Sequence, residues 1–150
     1  MELKVPPPVY MALFLLLMWL FEDMMSFLSW ENMVFQGLGI LLMTVGFLFD
    51  GWSFLGFVKS KTTINPLKPE SANNLVTDRL YRFTRNPMYL GMVLILAGWA
   101  FYLGSLLSLV FLPVFIKIMT KFQILPEERA LEEIFGEQFL RYKSQVGRWL

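Results

Sequence analysis

Residues Arg85–Leu106 read RNPMYLGMVLILAGWAFYLGSL. An Asn-Pro step opens the stretch, an unbroken apolar run follows, and a Gly-Ser turn closes it before a second apolar run begins. Asn is a favoured N-cap and Pro suits the first position of a helix, so a helix is predicted to start at Pro87. The turn in YLGSL leaves no room for a loop. The helix that ends there and the one that follows therefore form a tight antiparallel hairpin. Arg82 and Arg85 stand just before the apolar run, where cationic side chains anchor a helix at a membrane face.

Working outward, four apolar segments appear, at about residues 9–28, 33–58, 87–102 and 106–125. Crossing a hydrocarbon core of roughly 30 Å takes about 20 helical residues. The first, second and fourth segments reach that length and the third is short. The chain is 56% hydrophobic, more than a soluble domain requires, and the excess gathers in long runs. The predicted fold is all-α and integral to a membrane, a single domain over residues 1–150. It has four transmembrane helices and a C-terminal amphipathic interfacial helix. The first run is expected to be a retained membrane helix and not a signal peptide. Glu2 and three prolines interrupt its n-region, and no small-x-small site follows Phe21.

Charge placement orients these segments. Glu22, Asp23 and Glu31 lie between the first two, with no Lys or Arg. Residues 59–86 hold Lys59, Lys61, Lys68, Arg79, Arg82 and Arg85, and the tail adds Arg129, Arg141, Lys143 and Arg148. The positive-inside rule puts the 59–86 loop and the tail in the cytoplasm, and an even number of spans brings the N-terminus there too. In the tail, residues 126–150, Leu131, Ile134, Phe135, Phe139, Tyr142, Val146 and Trp149 recur at three- and four-residue steps. That spacing predicts one amphipathic helix, with Pro126 in its first turn and Glu127 and Glu128 at the positive end of its dipole. The GLG of residues 37–39 lies inside an apolar run with no strand before it, so it reads as close helix packing and not as a dinucleotide loop. Gly91 and Gly98, seven apart, share a face for the same purpose.

The chain has no cysteine and no histidine. That excludes disulfides, thiolate and imidazole metal ligands, and the commonest general base. The net charge of +1 predicts no partner by bulk charge, nucleic acid included. The hairpin returns the chain to the face where its first helix began, so Arg85–Tyr89 and Glu127–Glu128 should meet. A helix start with two arginines is an anion site, and beside a carboxylate pair it suits a zwitterionic ligand. Taken alone, the same residues also make an ordinary helix cap, aromatic-belt anchors and a solvated acidic turn. Asp50 reads two ways, as a buried functional carboxylate with a partner or as a wet group near the boundary. Pro113 is expected to kink the fourth segment, and Lys117 and Lys121 to snorkel.

The run LVTDRLYRFTRNPMYLG, the hairpin, and then PEERALEEIFGEQFLRYKSQVGRW resemble the isoprenylcysteine carboxyl methyltransferase family and its bacterial relatives. The phospholipid N-methyltransferases share the pattern more distantly. The family pattern is Arg-His-Pro-x-Tyr-x-Gly, then Glu-Glu, then Phe-Gly-x-x-Tyr. Arg85, Pro87, Tyr89, Gly91, Glu127, Glu128, Phe135 and Gly136 match it, and the resemblance covers about residues 65–150. It implies S-adenosylmethionine as methyl donor, with Arg85 and Glu128 as catalytic residues. It also implies cofactor contacts from Tyr81, Asn86, Pro87, Tyr89, Gly91, Glu127 and Glu128. No metal is implied. The acceptor would be hydrophobic or lipid-like, reaching the site laterally from the bilayer, and an oligomer is compatible. Asn86 replaces the family histidine, Arg79-Leu80 the usual Gly-Pro, and Phe139 the last tyrosine. Asn86 can hydrogen-bond but does not titrate near neutrality, which favours an acceptor that arrives ionised, such as a carboxylate, although Glu128 or Tyr89 could serve as a base. The Arg-Asn-Pro variant suggests a bacterial inner membrane. Two other readings stand beside this one: a membrane oxidoreductase like the sterol reductases, which share a similar C-terminal half, and a non-catalytic four-helix scaffold.

Overall fold

The computed structural model describes residue 3 and residues 5–24, 32–59 and 75–150. Among them the regular structure is entirely helical. In chain order it comprises α1 (Pro7–Met24), α2 (Met33–Lys59), a 3-10 turn (Arg79–Arg82), α3 (Pro87–Leu103) and α4 (Leu106–Met119). A π turn (Thr120–Ile124), α5 (Leu125–Phe135) and α6 (Glu137–Gln145) complete it. Residues 25–28 of the expected first span, Glu31, Lys61, Lys68 and most of the expected 59–86 loop lie outside the described residues.

The hairpin forms as its sequence dictates. Gly104 ends α3 in the left-handed conformation, at φ 67°, which costs a glycine nothing. Ser105 then caps α4, its side chain accepting from the Ser108 N–H at 3.3 Å. α3 packs on both faces. One carries Tyr89, Met92, Leu96 and Ala100, which join Phe14 and Met18 of α1, Phe115 and Met119 of α4, and Ile124 in the main core. Phe14 and Phe115 meet edge to face with centroids 5.2 Å apart. The Trp99 indole ties α3 to the Leu15 carbonyl of α1 at 3.2 Å.

The other face of α3 lies against α2 through glycines. A Cβ on Gly39 would stand 2.5 Å from the Gly98 carbonyl oxygen, and one on Gly46 would stand 2.6 Å from that of Gly91. The two pairs are one heptad apart on antiparallel helices, so the backbones touch along a seam that admits no side chain. The outer face of α2 is apolar and uncovered. Met33, Val34, Ile40, Leu41, Phe47, Leu48 and Trp52 are each more than half exposed. Among the described residues two helical runs can cross a membrane by length and composition, Met33–Gly56 and Leu106–Phe135; α1 and α3 are apolar but shorter.

The tail departs from the single helix expected over 126–150. α4 runs into α5 without a break, through the π turn, because Pro126 has no N–H for the Phe122 carbonyl and its ring would collide with it. The Leu125 N–H reaches back five residues to the Thr120 carbonyl, and the Phe122 carbonyl takes the Leu3 N–H at 3.0 Å. At Gly136 the backbone turns to φ 48° and ψ −124°, a glycine conformation, and separates α5 from α6. Val146 is extended and ends α6. Val146 and Trp149, expected on the helix face, therefore belong to a terminal strap.

If the seam depends on absent side chains, Gly98→Ala should lower stability by about 1–3 kcal/mol, an overpacking cost. Gly37→Ala, where a Cβ would meet nothing within 4 Å, should be neutral or stabilising. Thermal unfolding of both variants in one detergent checks this, and equal losses would contradict the seam.

Candidate functional site

The site forms where the segment before α3, the start of α5 and the terminal strap converge. Asp78 is extended, and Arg79 follows in the left-handed region at φ 56°. That is the position at which the resembling family carries glycine. The 3-10 turn then swings Tyr81 inward, where it is buried with Val76, Phe139 and Tyr142. The Tyr142 hydroxyl donates to the Tyr81 carbonyl at 2.6 Å. Phe139, which stands where the resembling family carries tyrosine, is buried in this cluster. Burial pushes the Tyr81 phenol well up, and Tyr142, Glu127 and Asp78 add to the shift. Burial also raises Tyr142, with Arg85 pulling it back. Both phenols stay protonated through the neutral range.

At the α3 start, Pro87 occupies the first turn and Asn86 the N-cap position, but the Asn86 side chain does not cap. Its Nδ2 donates instead to the Arg148 carbonyl at 2.9 Å, which also accepts the Thr84 hydroxyl at 3.3 Å. The Asn86 N–H is taken by Thr84 Oγ1 at 3.1 Å. The Arg85 N–H donates to the Gly147 carbonyl at 3.0 Å, and the Trp149 indole to Thr120 Oγ1 at 3.2 Å. The last residues of the chain thus strap the α3 start to the π turn.

Under the strap lies the charge cluster. Glu128 is 6% exposed. Its two oxygens take Arg148 Nε at 2.9 Å and Nη2 at 2.8 Å, a fork-to-fork pair that holds the Arg148 proton more tightly still. Arg85 Nη1 is 3.0 Å from Glu128 Oε1, an ion-pair distance, yet its geometry is not that of a hydrogen bond. The Arg85 side chain is 9% exposed, and among the described residues its Nε and Nη1 have no hydrogen-bond acceptor. Two guanidiniums share the one Glu128 carboxylate, and Arg148 takes its hydrogen bonds while Arg85 keeps donors that Glu128 does not fill. Next to them the Tyr89 hydroxyl donates to Glu127 Oε1 in a short hydrogen bond. Burial pushes the Glu127 carboxyl up to about 8, with the Tyr89 hydrogen bond pulling it back and Glu128 adding to the rise. A cation at Arg85 and a carboxyl at Glu127, each next to Glu128, are the two kinds of group that an amino-acid zwitterion needs.

The structure therefore brings together Arg85, Glu127, Glu128, Tyr89 and Tyr81, with Asn86 and Pro87 at the helix start. Gly91 stands apart. A Cβ there would lie 2.1 Å from Asp50 Oδ1, so Gly91 belongs to the α2 seam, across α3 from Tyr89. Asp50 Oδ1 is itself buried, with no hydrogen-bond partner among the described residues. Sequence reasoning missed Arg148, Thr84 and Thr120. Arg148 was counted only among the cytoplasmic charges. A signal for it existed in Gly147, which breaks the tail just before an Arg-Trp pair.

The family model described as phospholipid methyltransferase matches residues 34–138. The chain belongs to this family. An uncharacterized protein of Haemophilus influenzae is 44% identical over 63 residues, covering 42% of this chain and all of that protein. The methanethiol S-methyltransferase of Pseudomonas deceptionensis is 29% identical over 135 residues, covering 88% of this chain and 48% of that enzyme. The protein-S-isoprenylcysteine O-methyltransferase of Saccharomyces cerevisiae is 34% identical over 113 residues, covering 73% of this chain and 43% of that enzyme. The chain thus spans about half the length, or less, of these two named enzymes. No solved structure matches it significantly.

Two stability effects should follow from this geometry. Glu128→Ala strands two guanidiniums and should cost about 3–5 kcal/mol, whereas Tyr89→Phe, losing one hydrogen bond, should cost about 1 kcal/mol. Arg79→Gly relieves a left-handed residue and should stabilise by up to about 1 kcal/mol. Unfolding followed by tryptophan fluorescence in nanodiscs ranks the three, and a destabilising Arg79→Gly would contradict the strain.

Proposed function

We propose that this member of the phospholipid methyltransferase family is an S-adenosylmethionine-dependent integral membrane methyltransferase with a lipid-like or isoprenylcysteine-type acceptor, a carboxylate favoured. In this reading α1 to α4 each cross the bilayer within one domain. Both termini face the cytoplasm, in a bacterial inner membrane. The site then opens at the cytoplasmic ends of α3 and α4, where an acceptor dissolved in lipid reaches it sideways.

The observation that carries the reading is the pair of buried Arg85 donors without an acceptor, in the cluster that also holds Glu127. The amino-acid part of S-adenosylmethionine carries a carboxylate and an ammonium, and these residues fit both. Arg85 would hold the carboxylate, and Glu127, oriented by Tyr89, the ammonium. Tyr81, Asn86 and Pro87 shape the wall between them. Glu128 acts by fixing the arginines and not as a base, since both its oxygens are engaged. When bound, the cofactor would supply a methyl group carried on a sulfonium, with the neutral thioether of S-adenosylhomocysteine as the leaving group. The work left to the chain is to align the acceptor and exclude water. A carboxylate acceptor needs no proton removed. This set of residues suits that case, since Tyr81 and Tyr142 are held protonated and the chain has no histidine.

Calorimetric titration of S-adenosylhomocysteine into the protein in nanodiscs tests the reading. Wild type should bind in the micromolar range. Arg85→Ala and Glu127→Gln should each weaken binding about tenfold, the loss of one charge-assisted contact. Arg85→Ala leaves Glu128 paired with Arg148, so its fold should persist. A folded wild type that binds nothing would remove the cofactor site and leave a non-catalytic membrane protein.

A further inference from the structure

We infer that Arg148, on the terminal strap, is a positioning residue for the ligand's carboxylate: by taking both oxygens of Glu128 in hydrogen bonds it keeps Glu128 from using up the donors of Arg85. The inference rests on the cofactor reading above and adds a residue and a role to it.

A buried carboxylate and a buried guanidinium 3.0 Å apart would ordinarily close into a two-pronged pair. Here they do not, because Glu128 already has that pair with Arg148. Arg85 is left with Nε and Nη1 unbonded in a site from which its side chain is nine-tenths withdrawn from water. Unbonded buried donors are costly unless something outside the protein accepts from them. Arg148 is no loose surface cation. Its carbonyl takes Asn86 Nδ2 and Thr84 Oγ1, and its neighbours Gly147 and Trp149 are bonded to Arg85 and Thr120. The strap thus delivers the guanidinium to Glu128 in a fixed orientation. Without it Glu128 would close into a two-pronged pair with Arg85, the free donors would be used up, and the ligand's carboxylate would lose its partner. The adenosine and thioether parts of the ligand make no use of these donors.

The test compares two probes on the full chain in nanodiscs, S-adenosylhomocysteine and 5′-methylthioadenosine, which lacks the amino-acid carboxylate and ammonium. Arg148→Ala should weaken S-adenosylhomocysteine about tenfold or more and change methylthioadenosine less than about twofold. Arg148→Lys, a point charge that cannot take both oxygens, should fall between wild type and Arg148→Ala for the first probe and leave the second unchanged. Trp149→Phe, which removes the strap's bond to Thr120 but leaves Arg148 in place, should spare both. Equal weakening of both probes, or of neither, by Arg148→Ala and Arg148→Lys would overturn the positioning role. If Arg148→Ala does not fold, the Lys variant decides alone. A wild type that binds neither probe would overturn the cofactor reading itself, and this inference with it.

Discussion

One carboxylate holds the functional end of this molecule together. Glu128 is buried, and its charge is tolerable there only because two guanidiniums from distant parts of the chain converge on it. Arg85 comes from the segment before α3 and Arg148 from the terminal strap. Around that point the backbone is closed by bonds from Thr84, Asn86 and Arg85 to the strap. Glu128 faces inward because of the π turn just before it. One residue added to a helix rotates everything downstream by about 100°, and Pro126 enforces that addition. The proline and the carboxylate two residues later are thus one device, the first setting the direction of the second.

α3 divides its labour between two faces. Toward α2 it offers glycines, and the two backbones approach until no Cβ would fit. Toward α1 and α4 it offers Tyr89, Met92, Leu96 and Ala100. The short stretch from Arg85 to Gly91 therefore contains residues of two kinds. Arg85 and Tyr89 reach the charge cluster, while Gly91 lets α2 and Asp50 come close. A motif read as a string mixes the two, and only the helical rotation between positions 89 and 91 separates them.

What the sequence made legible was local. The starts of α3 and α4 and the turn between them were readable because an Asn-Pro step, a left-handed glycine and a capping serine act within a few residues. The convergence of Arg85, Tyr89, Glu127 and Glu128 followed from the hairpin, whose ends must meet. The end of the tail was not legible, and the reason is instructive. Val146 and Trp149 continue the three-and-four spacing of α5 and α6, yet they lie beyond the helix. Both still pack on the bundle, Val146 against the Tyr81 cluster and Trp149 against the main core. The spacing reported burial correctly and helicity wrongly. Asn86 misled in the opposite way. Its cap position was right, but its side chain serves a carbonyl 62 residues away, and no local rule reveals such a partner.

The charge arrangement also bears on what kind of acceptor the proposed chemistry can use. A thiol or an amine must lose a proton near the moment of transfer, so a site for either needs a group able to take it. Glu128 is committed to two arginines, and the Tyr81 and Tyr142 phenols are pushed further from ionisation by burial. Glu127, whose carboxyl burial raises to about 8, is the group here with a proton affinity suited to a base, and it accepts from the Tyr89 hydroxyl. If it also holds the cofactor's ammonium, it is not free to serve a second time. A carboxylate acceptor escapes this difficulty because its proton is lost in water before it arrives. Its own negative charge would in turn be drawn to the cationic sulfonium. The same arrangement that commits Glu128 to two arginines, with Glu127 given to the ammonium, thus argues for an acceptor that needs orientation and dehydration from the protein, and no base.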